Sequence, residues 1–130
     1  MAKNATIKDL NERKLWHKLK EKTKSISWIR IENWALPGTP DLLGYSKKGN
    51  FFTLELKVTT IRNHKKVAFS PHQISFHVKH KKNTYVLVAW ALGKLVRLYP
   101  GSQILDLLED SELEPLACGL DSCATLLEDL

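Results

Sequence analysis

Past Arg97 the chain has no lysine and no arginine. The eight acidic residues from Asp106 to Asp129 therefore stand without a basic neighbour in sequence, a balance of −8. Ahead of them the position is reversed. All 20 Lys and Arg lie between Lys3 and Arg97 and face six acids there, a balance of +14. Long apolar runs are also missing. The longest, Tyr85 to Leu92, is far too short to cross a bilayer. The opening MAKNATIKDLNERK lacks the apolar stretch of a secretory leader, so a soluble, cytoplasmic protein is expected. Cysteine is scarce: Cys118 and Cys123 have no second Cys/His pair beside them, which makes a poor zinc site and reads as two free thiols. No internal repeat or low-complexity tract stands out.

What is present is one ordinary domain. The 130 residues suffice for a single core, and 43% apolar with 26% charged residues is globular composition. The +14 body points to a polyanionic partner, most simply nucleic acid. A basic surface kept soluble by its charge is the plainer alternative.

Local signals give an element order. Thr6 can cap a helix whose apolar positions Ile7, Leu10, Leu15 and Leu19 carry it to about Thr23. Ile26 to Glu32 is β-branched and aromatic, and reads as a strand. Pro37, Gly38 and Pro40 mark a loop. Leu42–Ser46 and Phe51–Thr59 form two strands of a hairpin around Lys48-Gly49-Asn50. Ser70-Pro71-His72-Gln73 opens a second helix, with Ser as N-cap, Pro at N1 and Gln at N3, running to about Lys82. Asn83 suits a left-handed helix end. Thr84–Ala91 and Lys94–Tyr99 are two further strands, and Gln103–Glu109 a short helix. The expectation is an α/β fold with a mixed sheet in α-β-β-β-α-β-β order. Residues 1–100 form its core, and an acidic helical extension, 101–130, packs on the same domain.

The strand Phe51–Thr59 carries the chemistry. Phe52, Leu54, Leu56 and Val58 share one apolar face, so Glu55 and Lys57 point together to the other. The hairpin can bring Asp41, just past the Pro-Gly-Thr-Pro turn, beside Glu55. Two converging carboxylates repel, and a hard divalent cation relieves that repulsion. Such an ion activates water and neutralises charge on a phosphodiester. Lys57 would position the attacking water and stabilise developing charge. Each piece has an ordinary reading too: Glu-x-Lys as a solvated pair, Pro-Asp as a turn.

Gly38-Thr39-Pro40-Asp41, Glu55-Leu56-Lys57 and Ser70-Pro71-His72-Gln73 together resemble the PD-(D/E)XK nucleases. The likeness spans roughly Glu12 to Tyr99 and is greatest to small stand-alone VRR-NUC and Holliday-junction-resolvase-like members. It implies a restriction-endonuclease-like core. Asp41, Glu55 and the Leu56 carbonyl would be metal ligands and Lys57 the catalytic lysine. The family's helix-1 glutamate would be Glu12, with Glu21 as the alternative. Gln73 would approach the site, although Ser70-x-x-Gln73 is equally a capping box.

The resemblance implies a Mg2+-dependent endonuclease, with Mn2+ able to substitute. Branched DNA (a Holliday junction or flap) would be the substrate, in recombination or repair. A homodimer follows from two symmetric cuts. A phage or bacterial origin would suit such a protein, with the host cytoplasm as its place if phage-encoded. The rival is a catalytically silent DNA-binding module. Lys47, Lys48, Arg62, Lys65, Lys66 and His72 are the candidate DNA contacts, together with the basic run Lys79–Lys82. None of the five histidines has a convincing ligand set. Trp16, Trp28 and Trp90 are assigned to packing, and Trp34 to a place near substrate. The acidic tail is expected to cover a sheet edge, join a dimer interface, or mimic DNA charge against the basic body.

Overall fold

The computed structural model describes residues 7–31, 37–59, 67–90, 95–110 and 112–130, with side chains from residue 12 onward. The elements are α1 (Ile7–Lys22), β1 (Ser27–Arg30), β2 (Leu42–Tyr45), β3 (Phe51–Val58), α2 (Pro71–Lys79), β4 (Thr84–Trp90), β5 (Leu95–Pro100), α3 (Ile104–Glu109), β6 (Ala117–Cys118) and α4 (Leu120–Glu128), with a 3-10 turn before α3. One six-stranded sheet runs in chain order, β1 to β6. Neighbours are antiparallel except β3 and β4, which are parallel and need the α2 crossover between them. The expected mixed α/β fold is the one observed.

Strand alternation divides the core in two. On one face Phe52, Leu54, Leu56 and Val58 of β3 meet Leu15, Trp16 and Leu19 of α1, and Cys123, Ala124 and Leu127 of α4. Trp16, Trp28 and Phe52 stack edge to face in a chain, with centroids 5.6 and 5.4 Å apart. Gly44 makes this possible, since a Cβ there would lie 2.4 Å from the Phe52 ring. On the other face Val86, Val88, Trp90 and Tyr99 meet Ile104 and Leu107 of α3, and Ile74 of α2. That cover stops short of β1, β2 and the start of β3, leaving Ile29, Tyr45 and Phe51 exposed.

Three details differ from the sequence reading. Helix α2 ends at Lys79, because His80 leaves the helical conformation as C-cap and its carbonyl accepts a bond from Thr84 Oγ1 at 2.7 Å. Asn83 does adopt φ 58°, but in the turn entering β4, where its carbonyl receives Thr53 N–H at 2.9 Å. The acidic tail contributes more than a helix: β6 adds a strand beside β5, and α4 completes the α1 core.

Candidate active site

Asp41 precedes β2 by one residue, and the register Leu42↔Leu54 sets it opposite Glu55. Asp41 Oδ2 accepts the Leu56 N–H at 2.8 Å, and its carbonyl accepts Ile31 N–H at 2.8 Å. Backbone bonds therefore hold Asp41 at both its carboxylate and its main-chain carbonyl. Glu55 is 2% exposed. Burial, then a hydrogen bond to the Asp41 carboxyl and its negative charge, push the Glu55 pKa from 4.5 up to about 10, against the opposing pull of Lys57. At neutral pH Glu55 holds a proton and donates it to Asp41. Glu55 Oε1 is buried and makes no hydrogen bond. A buried acceptor left in this state is uncommon and calls for an explanation.

Beside the pair lies a cleft of about 230 Å³, lined by Glu12, Arg13 and Trp16 of α1, Arg30 of β1, and Asp41, Leu42 and Leu56. Glu12 is close enough to raise the Glu55 pKa further by its charge. Of the two helix-1 candidates, Glu12 is the one that joins the site; Glu21 is exposed near the far end of α1. Sequence reading missed Arg13 and Arg30. Arg13 directly follows Glu12, and that adjacency was the available signal. Arg30 pairs in register with Leu42, which no local pattern discloses.

The start of α2 closes the other side of the turn. Ser70 Oγ accepts Gln73 N–H at 3.2 Å, while Gln73 Oε1 accepts Ser70 N–H at 2.9 Å. The capping box is thus formed, and the carbonyl end of Gln73 is engaged in it. Gly38 (φ 86°) lies against the His72 carbonyl, where a Cβ would come within 2.3 Å of the oxygen. The His72 side chain is exposed beside this contact, and Lys57 is half-buried.

The basic residues divide. Lys47 and Lys48 sit on the β2–β3 turn, at the opposite end of the hairpin from Asp41, roughly 15–20 Å away at about 3.3 Å per strand residue. They meet the tail there: Lys47 Nζ is 3.6 Å from Asp129 Oδ1, and Lys48 Nζ donates to the Asp129 carbonyl at 2.9 Å. They do not flank the carboxylate pair. Arg62, Lys65, Lys66 and Trp34 lie outside the described residues.

The donor chemistry fits Mg2+. Among the described residues no three His, Cys, Asp or Glu side chains form a ligand cluster. Mg2+ does not need one, since it is commonly held by one or two carboxylates with waters completing the shell. A cation would replace the proton shared by Asp41 and Glu55 and would give the orphaned Oε1 a partner.

No family sequence model and no curated protein sequence matches this chain. Among solved structures it is similar to Hjc, a Holliday junction resolvase from the archaeal hyperthermophile Archaeoglobus fulgidus. The two share 17% identity over 88% of this chain and 98% of that one, with a TM-score of 0.59. At this identity what the two chains share is the fold, and the likeness does not bear on the expected VRR-NUC relationship.

Proposed function

We propose that this protein is a metal-dependent DNA endonuclease acting on branched DNA. The observation that carries the reading is the buried Glu55 carboxyl, held against Asp41 with one oxygen unsatisfied, at the edge of a cleft that also presents Arg13 and Arg30. A bound Mg2+ or Mn2+ would supply an activated water and charge neutralisation at the scissile phosphate. Asp41 and Glu55 would hold that ion, with the Leu56 carbonyl as a further candidate ligand at the same cleft wall. Arg13 and Arg30 grip the phosphate, and Arg suits that role because its guanidinium binds phosphate in bidentate fashion. Lys57 sets a positive charge beside the attacking water. Glu12 orders water or ion from α1.

The likeness to a Holliday junction resolvase supports a four-way junction as substrate. Symmetric cutting requires two copies, and the uncharged end of the sheet face, at Ile29, Leu43, Tyr45 and Phe51, is where they would meet. The silent DNA-binding module is the weaker reading. Pure DNA binding does not need carboxylates beside a phosphate-binding cleft, least of all one buried with an orphaned oxygen.

Cleavage of labelled four-way junction, flap, linear duplex and single-stranded DNA tests the proposal, with Mg2+, Mn2+ or EDTA, beside Glu55→Ala. Metal-dependent cleavage that disappears in the variant is the expected result. DNA binding by both proteins without cleavage would leave the silent module standing.

A further inference from the structure

Lys57 reaches its place across an aromatic ring. Its Nζ lies 5.1 Å from the centroid of Phe69. That is within the range, about 6 Å, at which a ring quadrupole attracts a cation. Phe69 is half-buried and packs against the second core, the cluster that includes Val67, Val86 and Val88. Val88 of that cluster is the cross-strand partner of Lys57, so the lysine leaves the sheet on the face that the cluster covers.

The ring is held on both sides. Two residues earlier Val67 is buried at 4% exposure. One residue later Ser70 begins the capping box that fixes the start of α2. A lysine side chain has four rotatable bonds and much freedom to lose. A face to rest on narrows that freedom, while the charge of Lys57 still acts on Glu55.

Resting on the nuclease reading, we propose that Phe69 is a positioning residue: its ring face holds the Lys57 ammonium at the Asp41–Glu55 centre. The plain alternative is a ring that fills space between Val67 and α2. The two differ in what a substitution does. Leucine fills apolar space but has no quadrupole; tyrosine keeps both ring and quadrupole.

The experiment uses the full chain with Phe69→Leu and Phe69→Tyr. The Lys57 ε-methylene proton shift reports the contact without any activity. It is expected upfield in the wild type and Phe69→Tyr through the ring current, and returned to the ordinary lysine position in Phe69→Leu. Single-turnover cleavage of the four-way junction at saturating Mg2+ should fall about 3- to 30-fold in Phe69→Leu, the range of a cation–π contact. Junction affinity and thermal midpoint should stay near wild type, and Phe69→Tyr should restore the rate. Wild-type cleavage by Phe69→Leu, or an equal fall in both variants, overturns the inference. So does an active wild type whose Lys57 shift is ordinary, and in that case the nuclease reading survives. A wild type that cleaves none of the DNAs overturns both, since no reacting centre would remain for the lysine to serve.

Discussion

Gly38 and His72 are in backbone contact: the left-handed glycine, at φ 86°, leaves no room for a Cβ before the His72 carbonyl. Through this contact the Pro-Gly-Thr-Pro turn docks on the first turn of α2, three residues from Asp41. The Gly-Thr-Pro-Asp and Ser-Pro-His-Gln motifs, more than thirty residues apart in sequence, are thereby one structural unit.

Gly38→Ala should break that unit. Alanine disfavours positive φ and adds a methyl at 2.3 Å from the oxygen, so the turn must move. We expect a loss of roughly 1–3 kcal/mol in urea unfolding, the usual scale of backbone strain at such positions. Junction cleavage should fall by more than the lost stability explains, because Asp41 moves with the turn. An unchanged unfolding midpoint would show that the turn does not depend on this approach.

Glu55 makes the metal-free protein pH-sensitive. Its carboxyl has pKa about 10 in the fold and 4.5 as a free side chain. Below pH 4.5 both states hold the proton. Between 4.5 and 10 the unfolded chain releases it while the fold retains it, so stability falls as pH rises. At pH 7 the shortfall is about 3 kcal/mol, at 1.4 kcal/mol per pH unit. Glu55→Gln keeps the shape and removes the titration. Without metal, it should unfold at higher urea than wild type at pH 8 and show little advantage at pH 4.5. Mg2+ should stabilise the wild type progressively more as pH rises and leave Glu55→Gln nearly unmoved. Equal pH profiles for the two proteins would refute the shared proton.

The carboxylate strand was legible because period-two alternation states which residues point together, and an apolar row behind Glu55 and Lys57 fixes the face. The capping box was legible because it is local. What depended on distant contacts was not. Glu12 and Glu21 are both acids on α1; place in the helix favoured Glu12, and the cleft adds a spatial reason that no local pattern holds. Lys47 and Lys48 lie close to Asp41 in sequence, yet each hairpin residue carried them further away. In the tail, Leu126 and Leu127 showed an apolar side, but β6 has two residues, too few for any period. Cys123 and Leu127 are fully buried, so α4 belongs to the core, while Asp129 after it meets Lys47 and Lys48.

His77 should make the fold acid-sensitive in the opposite sense to Glu55. It is fully buried, and neither ring nitrogen has a hydrogen-bond partner. Burial, aided by the nearby His80, lowers its pKa from 6.5 to about 4. Above pH 6.5 the ring is neutral in both states. As pH falls from 6.5 to 4 the unfolded chain gains a proton that the fold refuses, and stability drops. At pH 5 the loss is roughly 2 kcal/mol. His77→Leu should flatten the acid limb of the stability profile between pH 4 and 6.5. An unaltered acid limb in that variant would assign the loss to other groups.

The open sheet face is where a second copy would seat. Ile29 pairs with Leu43 and Tyr45 with Phe51, so all four side chains share one face of three adjacent strands. The Tyr45 and Phe51 rings are in contact at 4.5 Å between centroids. Ile29 and Phe51 are more than half exposed. Ser27 and Thr53 lie at the same end of this face, and none of the six is charged; Glu55 and Lys57 occupy the face further along β3. A two-fold axis at this end of the sheet would oppose apolar rings rather than charges. Phe51→Lys places a like charge at that axis on each copy. Sedimentation equilibrium should show a dimer for the wild type and a monomer for Phe51→Lys with unchanged circular dichroism. The monomer should nick junctions on one strand rather than resolve them in paired cuts. A wild type that sediments as a monomer at all concentrations would remove both the interface and the paired-cut mechanism, while single-strand cleavage at Asp41 and Glu55 would stand on its own.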